Sequence, residues 1–373
     1  MANRAIVYCL KPNNEQENLF QQTFGHCRLV YNKMLEIQQL RHANGEKHLS
    51  KIDANNYCNH YLKTEFPFLR DVDKFAITNA VYHLSDAYDR FFKKLGRFPK
   101  YKSKHTSRKS YTTNITGNNI IIGDNYIRLP KVGRVKAVIH RIPDDNWKIK
   151  SATVSQNRDG TYQVSILFEF DNSVIAPADR IIVLGLDYKS DGLYIDSNNN
   201  CCDMPHFYRK SHKKLCRLQR KLKYKTVHSN NYNKQQKQIA KLYKHISNQR
   251  KDFLHKKSTE IANQADVICV ETLNMRAMSN KGFGNGLATL DNGYGMFLSM
   301  LEYKLSDRGK LLIRIDRWYP SSQTCHICGK SHPEMKNLSI RVLKCDCGCN
   351  CDRDYNAAIN IKNEGLRLLN KIA

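Results

Sequence analysis

Acidic residues are scarce in this chain. Against 61 Lys and Arg stand 34 Asp and Glu, leaving a formal charge of +27 over 373 residues. A chain so charged repels itself unless a polyanion neutralises it. Nucleic acid is the first partner to expect and an anionic membrane surface the second. Long apolar runs are missing too. No stretch approaches the ~20 consecutive apolar residues of a membrane span, and the opening "MANRAIVYCLKPNNEQ" has no apolar signal-peptide core. Export is therefore not expected, and a disulfide framework loses its context although there are 13 cysteines. Seven are scattered, as small buried hydrophobes usually are, and six crowd between Cys325 and Cys351. Apolar content of 41% is ordinary for a folded protein, and the length suggests two to four structural units.

Along the chain, "RAIVYCL" (4–10) reads as a short strand. Asn14 with Glu17 three residues on reads as the capping pair of a helix. Leu19, Phe24, Cys27, Val30, Tyr31 and Met34 follow at helical spacing, and helical character runs to about Leu95. "KFAITNAVYHLSDAYDRFFKKL" is the second clear amphipathic stretch. Residues 97–113, "RFPKYKSKHTSRKSYTT", are basic and aromatic without periodicity, as a linker or an arm over phosphates would be. From about Tyr111 to Asp171 the pattern turns to strands, with Asp159-Gly160 as a hairpin turn. A small β-barrel or sandwich fits, completed by the first strand, with the helices inserted into it. After the Pro-containing break "SVIAPADR" come a strand, a turn and a strand in "IIVLGLDYKSDGLYIDSNN". Two basic helices follow, marked by Leu215, Leu218 and Leu222, then by Ile239, Leu242, Ile246, Phe253, Leu254 and Ile261. A charged helix face is usually just solvated; the global charge makes a nucleic-acid-facing role an equal alternative. "ADVICVE" is a buried-type strand, "SNKGFGNGLATLDNGYG" a mobile loop, 295–308 a helix and "KLLIRID" a strand. Strands alternating with helices from Ile181 onward predict an α/β domain.

Three acids occupy matching places. Asp187 closes "IIVLGLD", Glu271 closes "DVICVE", and Asp354 begins a helix whose buried face is expected to be Ala358, Ile361, Leu368, Leu369 and Ile372. One acid at a strand end or helix start is ordinary. Three on separate core elements repel unless a cation lies among them. Hard oxygen donors suit magnesium, and two such ions can activate water and stabilise the leaving oxygen in phosphodiester hydrolysis. The cysteines form a separate constellation. Cys325-x-x-Cys328 and Cys345-x-Cys347 suggest a closed, structural zinc site with four cysteine ligands. The second pair is one residue tighter than the usual knuckle, so Cys349, Cys351, His326 and His332 remain as substitutes. The plainer reading of Cys349 and Cys351 is spare thiols near the site. The zinc element would fix the approach of Asp354.

At these residues the sequence resembles the TnpB (OrfB) family of transposon-encoded RNA-guided DNA endonucleases, relatives of the type V CRISPR effector nucleases. The carriers, in order, are "GLDYKSDGLYIDS", "RKDFLHKKST", "VICVETLNM", "WYPSSQTCHICG" and "CDRDYNAAINI". Earlier, "KPNNEQENLFQQTFGHCRLVYNKML" and "FPKYKSK…SYTTN" look like the family too. The resemblance implies a multidomain α+β and α/β architecture. A wedge β-barrel (1–12 and 106–178) would carry a helical recognition insertion (13–105). A RuvC/RNase H-like nuclease domain (179–320 and 352–373) would be split by a zinc ribbon (321–351). It implies that Asp187, Glu271 and Asp354 are the magnesium-binding catalytic triad. Asp354 is chosen over Asp352 because the second aspartate of "DRDxNAA" is the family's catalytic one; Asp352 is left to cap the helix or pair with Arg353. The implied partners are a guide RNA from the transposon end and a double-stranded DNA target beside a short motif, with one protein copy per RNA. A place near the nucleoid in the cytoplasm of a prokaryotic cell follows. The sequence departs from the family in having Cys351 where a histidine often stands, and in the short second cysteine pair.

Expected nucleic-acid contacts are Lys74 and Tyr88 of the helical segment, Lys100, Lys102, Lys104 and Arg108 of the basic arm, and Lys213, Lys214, Arg217 and Arg220 of the first basic helix. Other readings are an RNA-guided DNA-binding regulator without cleavage, a DNA-strand-transferring transposase, and a guide-independent zinc-ribbon DNA-binding protein. The first would lack a triad acid, and none is lacking. The last would leave Asp187 and Glu271 without a role.

Overall fold

The first strand, β1 (Ala2–Lys11), alternates strictly: Ile6, Tyr8 and Leu10 are buried and the residues between them face outward. That period of two makes one face of a half-buried sheet. The computed structural model describes residues 2–170, 181–280 and 286–371, and the chain divides into two compact units, Met1–Asn172 and Ser173–Ala373.

In the first unit, β1 pairs antiparallel with β5 (Gly133–Val138) on one side and β7 (Tyr162–Phe170) on the other. With β2 (Lys109–Asn114), β3 (Ile121–Ile122), β4 (Tyr126–Leu129) and β6 (Lys148–Gln156) they form one sheet in the order β2-β6-β7-β1-β5-β4-β3. The first strand thus completes a sheet built from later strands, as expected. The expected barrel or sandwich is, in its pairing, an open seven-stranded sheet. Asp159-Gly160 turns the β6–β7 hairpin: Gly160 has φ +91°, and Asp159 Oδ1 accepts from Thr161 N at 3.1 Å. Helices fill the sequence between β1 and β2: α1 (Asn14–Ala43), α2 (Lys51–Tyr57), a π-turn into the single turn α3 (Lys63–Glu65), and α4 (Lys74–Phe92).

The cap of α1 lies one residue earlier than predicted. Asn13 Oδ1 accepts from Gln16 N at 2.8 Å, and Gln16 Oε1 accepts from Asn13 N at 3.1 Å. Both registers satisfy the capping pattern. Gln16 decides it by also donating to Arg134 O at 2.9 Å, a bond to the sheet that local sequence cannot reveal. Phe20, Phe24, Cys27, Val30, Tyr31 and Met34 are buried, while Leu19 is half-buried. Helix is not continuous to Leu95: it breaks after Ala43 and again before Asp73, the cap of α4.

"SVIAPADR" lies outside the described residues. The second unit is built on β8 (Val183–Tyr188), β9 (Tyr194–Asp196), β10 (Cys201–Cys202), β11 (Val267–Glu271) and β12 (Leu311–Ile315), ordered β10-β9-β8-β11-β12. β8, β11 and β12 run parallel; β9 and β10 are antiparallel. Between β10 and β11 lie the basic helices α5 (Phe207–Lys223) and α6 (Asn230–Gln264). After β11 come α7 (Met275–Met278), α8 (Gly286–Asn292) and α9 (Tyr294–Ser306). After β12 come the small hairpin β13 (Val342–Lys344)/β14 (Asn350–Asp352) and α10 (Arg353–Leu369). The glycine-rich segment is therefore no plain loop; residues 281–285 lie outside the description, and the remainder enters α8 and α9. Asp291, fully buried, accepts from Tyr208 N and Arg209 N at 3.0 and 3.3 Å, capping α5, and pairs with Arg250 at 3.3 Å. Asn292 donates to Ser190 O at 2.7 Å.

α10 lies against the sheet without spacing side chains. A Cβ on Gly185 of β8 would overlap the carbonyl oxygen of Ala358, and one on Gly365 would overlap the Cys269 thiol of β11. Ala358 and Ile361 are buried and Leu368 and Leu369 half-buried, as predicted; Ile372 is outside the described residues. Gly185→Ala should lower stability in urea by about 1–3 kcal/mol, the cost of forcing packed elements apart. Gly25→Ala, inside α1 with nothing within 4 Å, should raise it by about 1 kcal/mol. Equal effects would deny the close approach.

Candidate functional site

β8 and β11 are neighbouring parallel strands, with Leu186 opposite Val270. The next residue on each, Asp187 and Glu271, therefore emerges at the same carboxyl edge of the sheet. That edge is where open α/β sheets place their ligands. α10 supplies the third acid from its first turn. Asp352 is the cap of α10, accepting from Asp354 N at 2.8 Å and Tyr355 N at 3.2 Å. This is one of the two roles the sequence left it, and it fixes the turn from which Asp354 projects.

The electrostatics of these acids are unfavourable without a cation. Burial holds the Asp187 carboxyl well above the usual carboxylate range, and the charges of Glu271 and Asp354 push the same way, with Arg353 opposing. Burial also raises Glu271, against a hydrogen bond of 2.5 Å from the Ser321 hydroxyl to Oε1. Asp354 is drawn onto two guanidiniums, Arg341 at 2.7 Å and Arg353 at 3.3 Å. Among the described residues, the sets of potential metal ligands whose atoms all lie within 4.8 Å of one another are cysteine-rich; the three acids sit more loosely than that. Hard oxygen donors that repel one another at a buried edge suit a magnesium-class ion. Arg353 is itself buried, and its Nη1 has no hydrogen-bond partner among the described residues. Beside the acids that leaves a donor for an anionic group.

Ser321, Arg341 and Arg353 were not singled out for roles by the sequence reading, nor were two asparagines of "DYNAAIN". Asn356 donates to Thr324 O at 2.8 Å and Asn360 to Thr324 O and Ser321 O at 2.6 and 2.8 Å. They lace the segment carrying Ser321 to α10. Their only local signal is polarity on a face that ought to be apolar.

The cysteines separate into two groups. Cys325, Cys328, Cys345 and Cys347 come together as expected, with Sγ–Sγ distances of 3.6 Å (325–347) and 3.5 Å (328–345). This donor set fits a structural zinc. Burial works against a Cys325 thiolate, but amides of Cys328 and Ile327 hold its pKa down to about 6. His326, Cys349 and Cys351 form a group of their own. His332 lies outside both groups, its Nδ1 2.9 Å from Glu334 Oε1 and its ring also interacting with the Cys345 thiol.

The expected nucleic-acid contacts divide too. Lys74, Lys100, Lys104, Arg108, Lys213, Lys214, Arg217 and Arg220 are exposed. Lys102 is half-buried, with its ammonium 3.7 Å from the centre of the Tyr31 ring, and burial lowers its pKa. With Arg28, Ser103, Lys104, Arg108 and Lys109 it lines a small basic pocket. Tyr88 is corrected: it is buried, packed on His48 and Phe98 at 4.5 and 5.7 Å, and serves the helical core. Its place on an amphipathic helix already fitted core as well as surface.

A mixed sheet with acids at its carboxyl edge, joined to a cysteine-rich ribbon that fits a structural zinc, defines the class of α/β protein. Comparison with known proteins narrows this. Family models match residues 1–47 (described as a helix-turn-helix domain), 173–281 (a probable transposase, OrfB_IS605) and 294–361 (the TNB domain of Cas12f1-like proteins). Residues 1–47 fold here as β1 and one long helix. The chain is 33% identical over 365 residues, 97% of it and 89% of the relative, to a Streptomyces pristinaespiralis protein named as a candidate RNA-guided DNA endonuclease. It is 29% identical over 383 residues, 98% of it and 93% of the relative, to InsQ of Escherichia coli K12, named likewise. A Cas12f1 solved in complex with sgRNA and target DNA shares the fold, with a TM-score of 0.59 at 15% identity, covering 94% of this chain and 83% of that one. The chain belongs to the OrfB (TnpB) family of the IS605 transposons. No helix among the described residues is long and apolar enough to cross a membrane.

Two outcomes test this site. Because the native Asp187 carboxyl titrates above its ordinary value near 3.8, the native chain keeps a proton that the unfolded chain releases. In chelator, stability should therefore fall as pH rises from about 4 through the raised value. Asp187→Asn should flatten that fall; melting curves that stay parallel would refute the burial. Cys325→Ser should lose zinc and melting temperature together, and unchanged metal content would place the site elsewhere.

Proposed function

We propose that this chain is an RNA-guided DNA endonuclease of an insertion-sequence transposon, and that Asp187, Glu271 and Asp354 are its catalytic acids. The observation that carries this is the meeting of Asp187 and Glu271 at one strand edge with Asp354 on the adjoining helix turn. Strand order β10-β9-β8-β11-β12, with the first three antiparallel and the last two parallel to β8, supports a RuvC/RNase H-like nuclease domain. It would extend over 179–320 and 352–373, interrupted by a zinc ribbon at 321–351. The open sheet and its helical insertion would be the wedge (1–12 and 106–178) and recognition segments (13–105).

Magnesium, once bound by the three carboxylates, would supply an activated water and charge stabilisation on the leaving oxygen. The protein's part follows from its own residues. Asp187, whose proton affinity is raised by burial and its neighbours, would have to be ionised to hold a cation, and the cation would offset that repulsion. Ser321 orients Glu271 through its hydroxyl. Asp352 holds the helix turn that aims Asp354. Arg353 would have its Nη1 for a phosphate oxygen, and the half-exposed Arg341 would have to release Asp354 for that carboxylate to hold a cation. The exposed Lys and Arg of the arm and of α5 would contact phosphates, so binding should weaken steeply with salt. A guide RNA would read the target strand by pairing, the protein gripping the heteroduplex by its backbone. Such a guide and a double-stranded target are the proposed partners, with one protein copy per RNA in a prokaryotic cell.

The test is to purify the protein from cells carrying its flanking transposon DNA and sequence the RNA bound to it. A single RNA ending at the transposon boundary should appear, and should direct magnesium-dependent cutting of matched DNA. Asp187→Ala and Glu271→Ala should abolish cutting, a loss of at least about 10³-fold, as removal of a metal-holding group commonly gives, while guided binding survives. Cutting by either variant would sink the triad. Binding without cutting by the unaltered chain would leave a regulator, and a joined DNA product would show a transposase.

A further inference from the structure

The six clustered cysteines exceed what one four-thiolate site can use, and the surplus is not scattered. His326, Cys349 and Cys351 bring one potential ligand atom each to within 4.8 Å of one another, apart from the first group. We propose that these three residues form a second binding site for a thiophilic divalent cation, zinc above all, beside the four-cysteine site.

The geometry is that of a ligand set. Cys349 Sγ lies 3.6 Å from Cys351 Sγ, and the His326 imidazole stands against the same sulfur, with its Nδ1 3.8 Å away. Donors on a tetrahedral zinc with Zn–S of ~2.3 Å sit about 3.8 Å apart. The first group shows 3.5 and 3.6 Å, so the sulfur pairs of the two sets are spaced alike. Cys349 is buried and Cys351 and His326 half-buried, which excludes water without closing the site.

The alternative is a pair of spare core thiols. A thiol packed as a small hydrophobe needs neither a second thiol nor an imidazole at its sulfur. Here the three groups arrive from two separate stretches of chain. The His326 ring is also held from behind. Asn356 Oδ1, fully buried, accepts from His326 N at 3.0 Å and lies 2.9 Å from Nδ1. A carbonyl oxygen there takes the Nδ1 proton, orients the ring and leaves Nε2 as the nitrogen that can bind a metal.

Three protein donors leave a fourth position. The Cys325 thiol interacts with Cys349, so a Cys325 thiolate shared between the ions, or a water, could complete the tetrahedron. Either way this site is less enclosed than the four-cysteine site and should release its ion first. Its place gives it a mechanical role. Cys351 stands in β14 opposite Leu343 of β13, one residue before the cap Asp352 and three before Asp354. An ion there would tie the first knuckle, β14 and, through Asn356, α10 into one body.

Zinc content of the full-length chain, purified with its bound RNA under reducing conditions, tests the proposal by plasma mass spectrometry. The unaltered chain should carry two zinc ions more tightly than its buffer, the C349S/C351S double variant one fewer, and His326→Gln one fewer. Mild chelation should remove one equivalent ahead of the other. An unchanged circular dichroism spectrum with the remaining equivalent present shows that the double variant is folded. One zinc in the unaltered chain, or no loss in the double variant, overturns the second site. The four-cysteine reading is judged separately, by whether Cys325→Ser loses metal.

Discussion

The close seat of α10 on β8 and β11 is the contact on which the rest of the second unit depends. Two glycines, Gly185 on the strand and Gly365 on the helix, remove the side chains that would otherwise space these layers. Because the helix comes down this far, its first turn reaches the carboxyl edge of the two strands. Asp187 and Glu271 are set there by strand register alone. The third acid needs a helix at a fixed depth, and depth is what the glycines give. Their cost in backbone entropy is accepted for geometry at the acids.

The ribbon serves the same geometry from the other side. Its hairpin delivers the chain into Asp352 and hence into α10. The segment from Ser321 to Thr324 is laced to the helix by Asn356 and Asn360. Ser321 belongs to this lacing and to the acid site at once, since its carbonyl accepts from Asn360 and its hydroxyl donates to Glu271. A disturbance of the cysteine cluster is therefore not remote from the acids: it has a covalent path through β14 and a hydrogen-bonded one through Ser321.

Much of this was legible in the sequence, and the parts that were not have a common cause. Strands ending on Asp187 and Glu271, the helix beginning at Asp354 and the C-x-x-C and C-x-C pairs are local patterns, and local patterns survive without the fold. What failed depended on distant partners. The cap of α1 fell to Asn13 rather than Asn14 because Gln16 bonds the sheet at Arg134. The segment around Asp291 is helical, and Asp291 caps α5 from far along the chain. Tyr88 sat on an amphipathic helix where the boundary between core and surface is set by what packs above it, here His48 and Phe98. Two-residue β10 gave no period to detect.

The acids also show how a chain of charge +27 can keep a concentration of negative charge. Two different compensations act on three carboxylates. Burial and its neighbours raise the proton affinity of Asp187, while Asp354 takes up two guanidiniums. Both are compensations that a divalent cation bound by the acids would replace, and Arg341 is half in solvent. Arg353 differs. It is buried, points one unpartnered nitrogen into the same neighbourhood, and cannot lose its charge. Were a cation to take over Asp354, that guanidinium would lose its partner and keep donors for an anionic group. The three acids are thus compensated by burial-raised protonation and by guanidiniums, an arrangement in keeping with the proposed binding of a metal ion and a phosphodiester together.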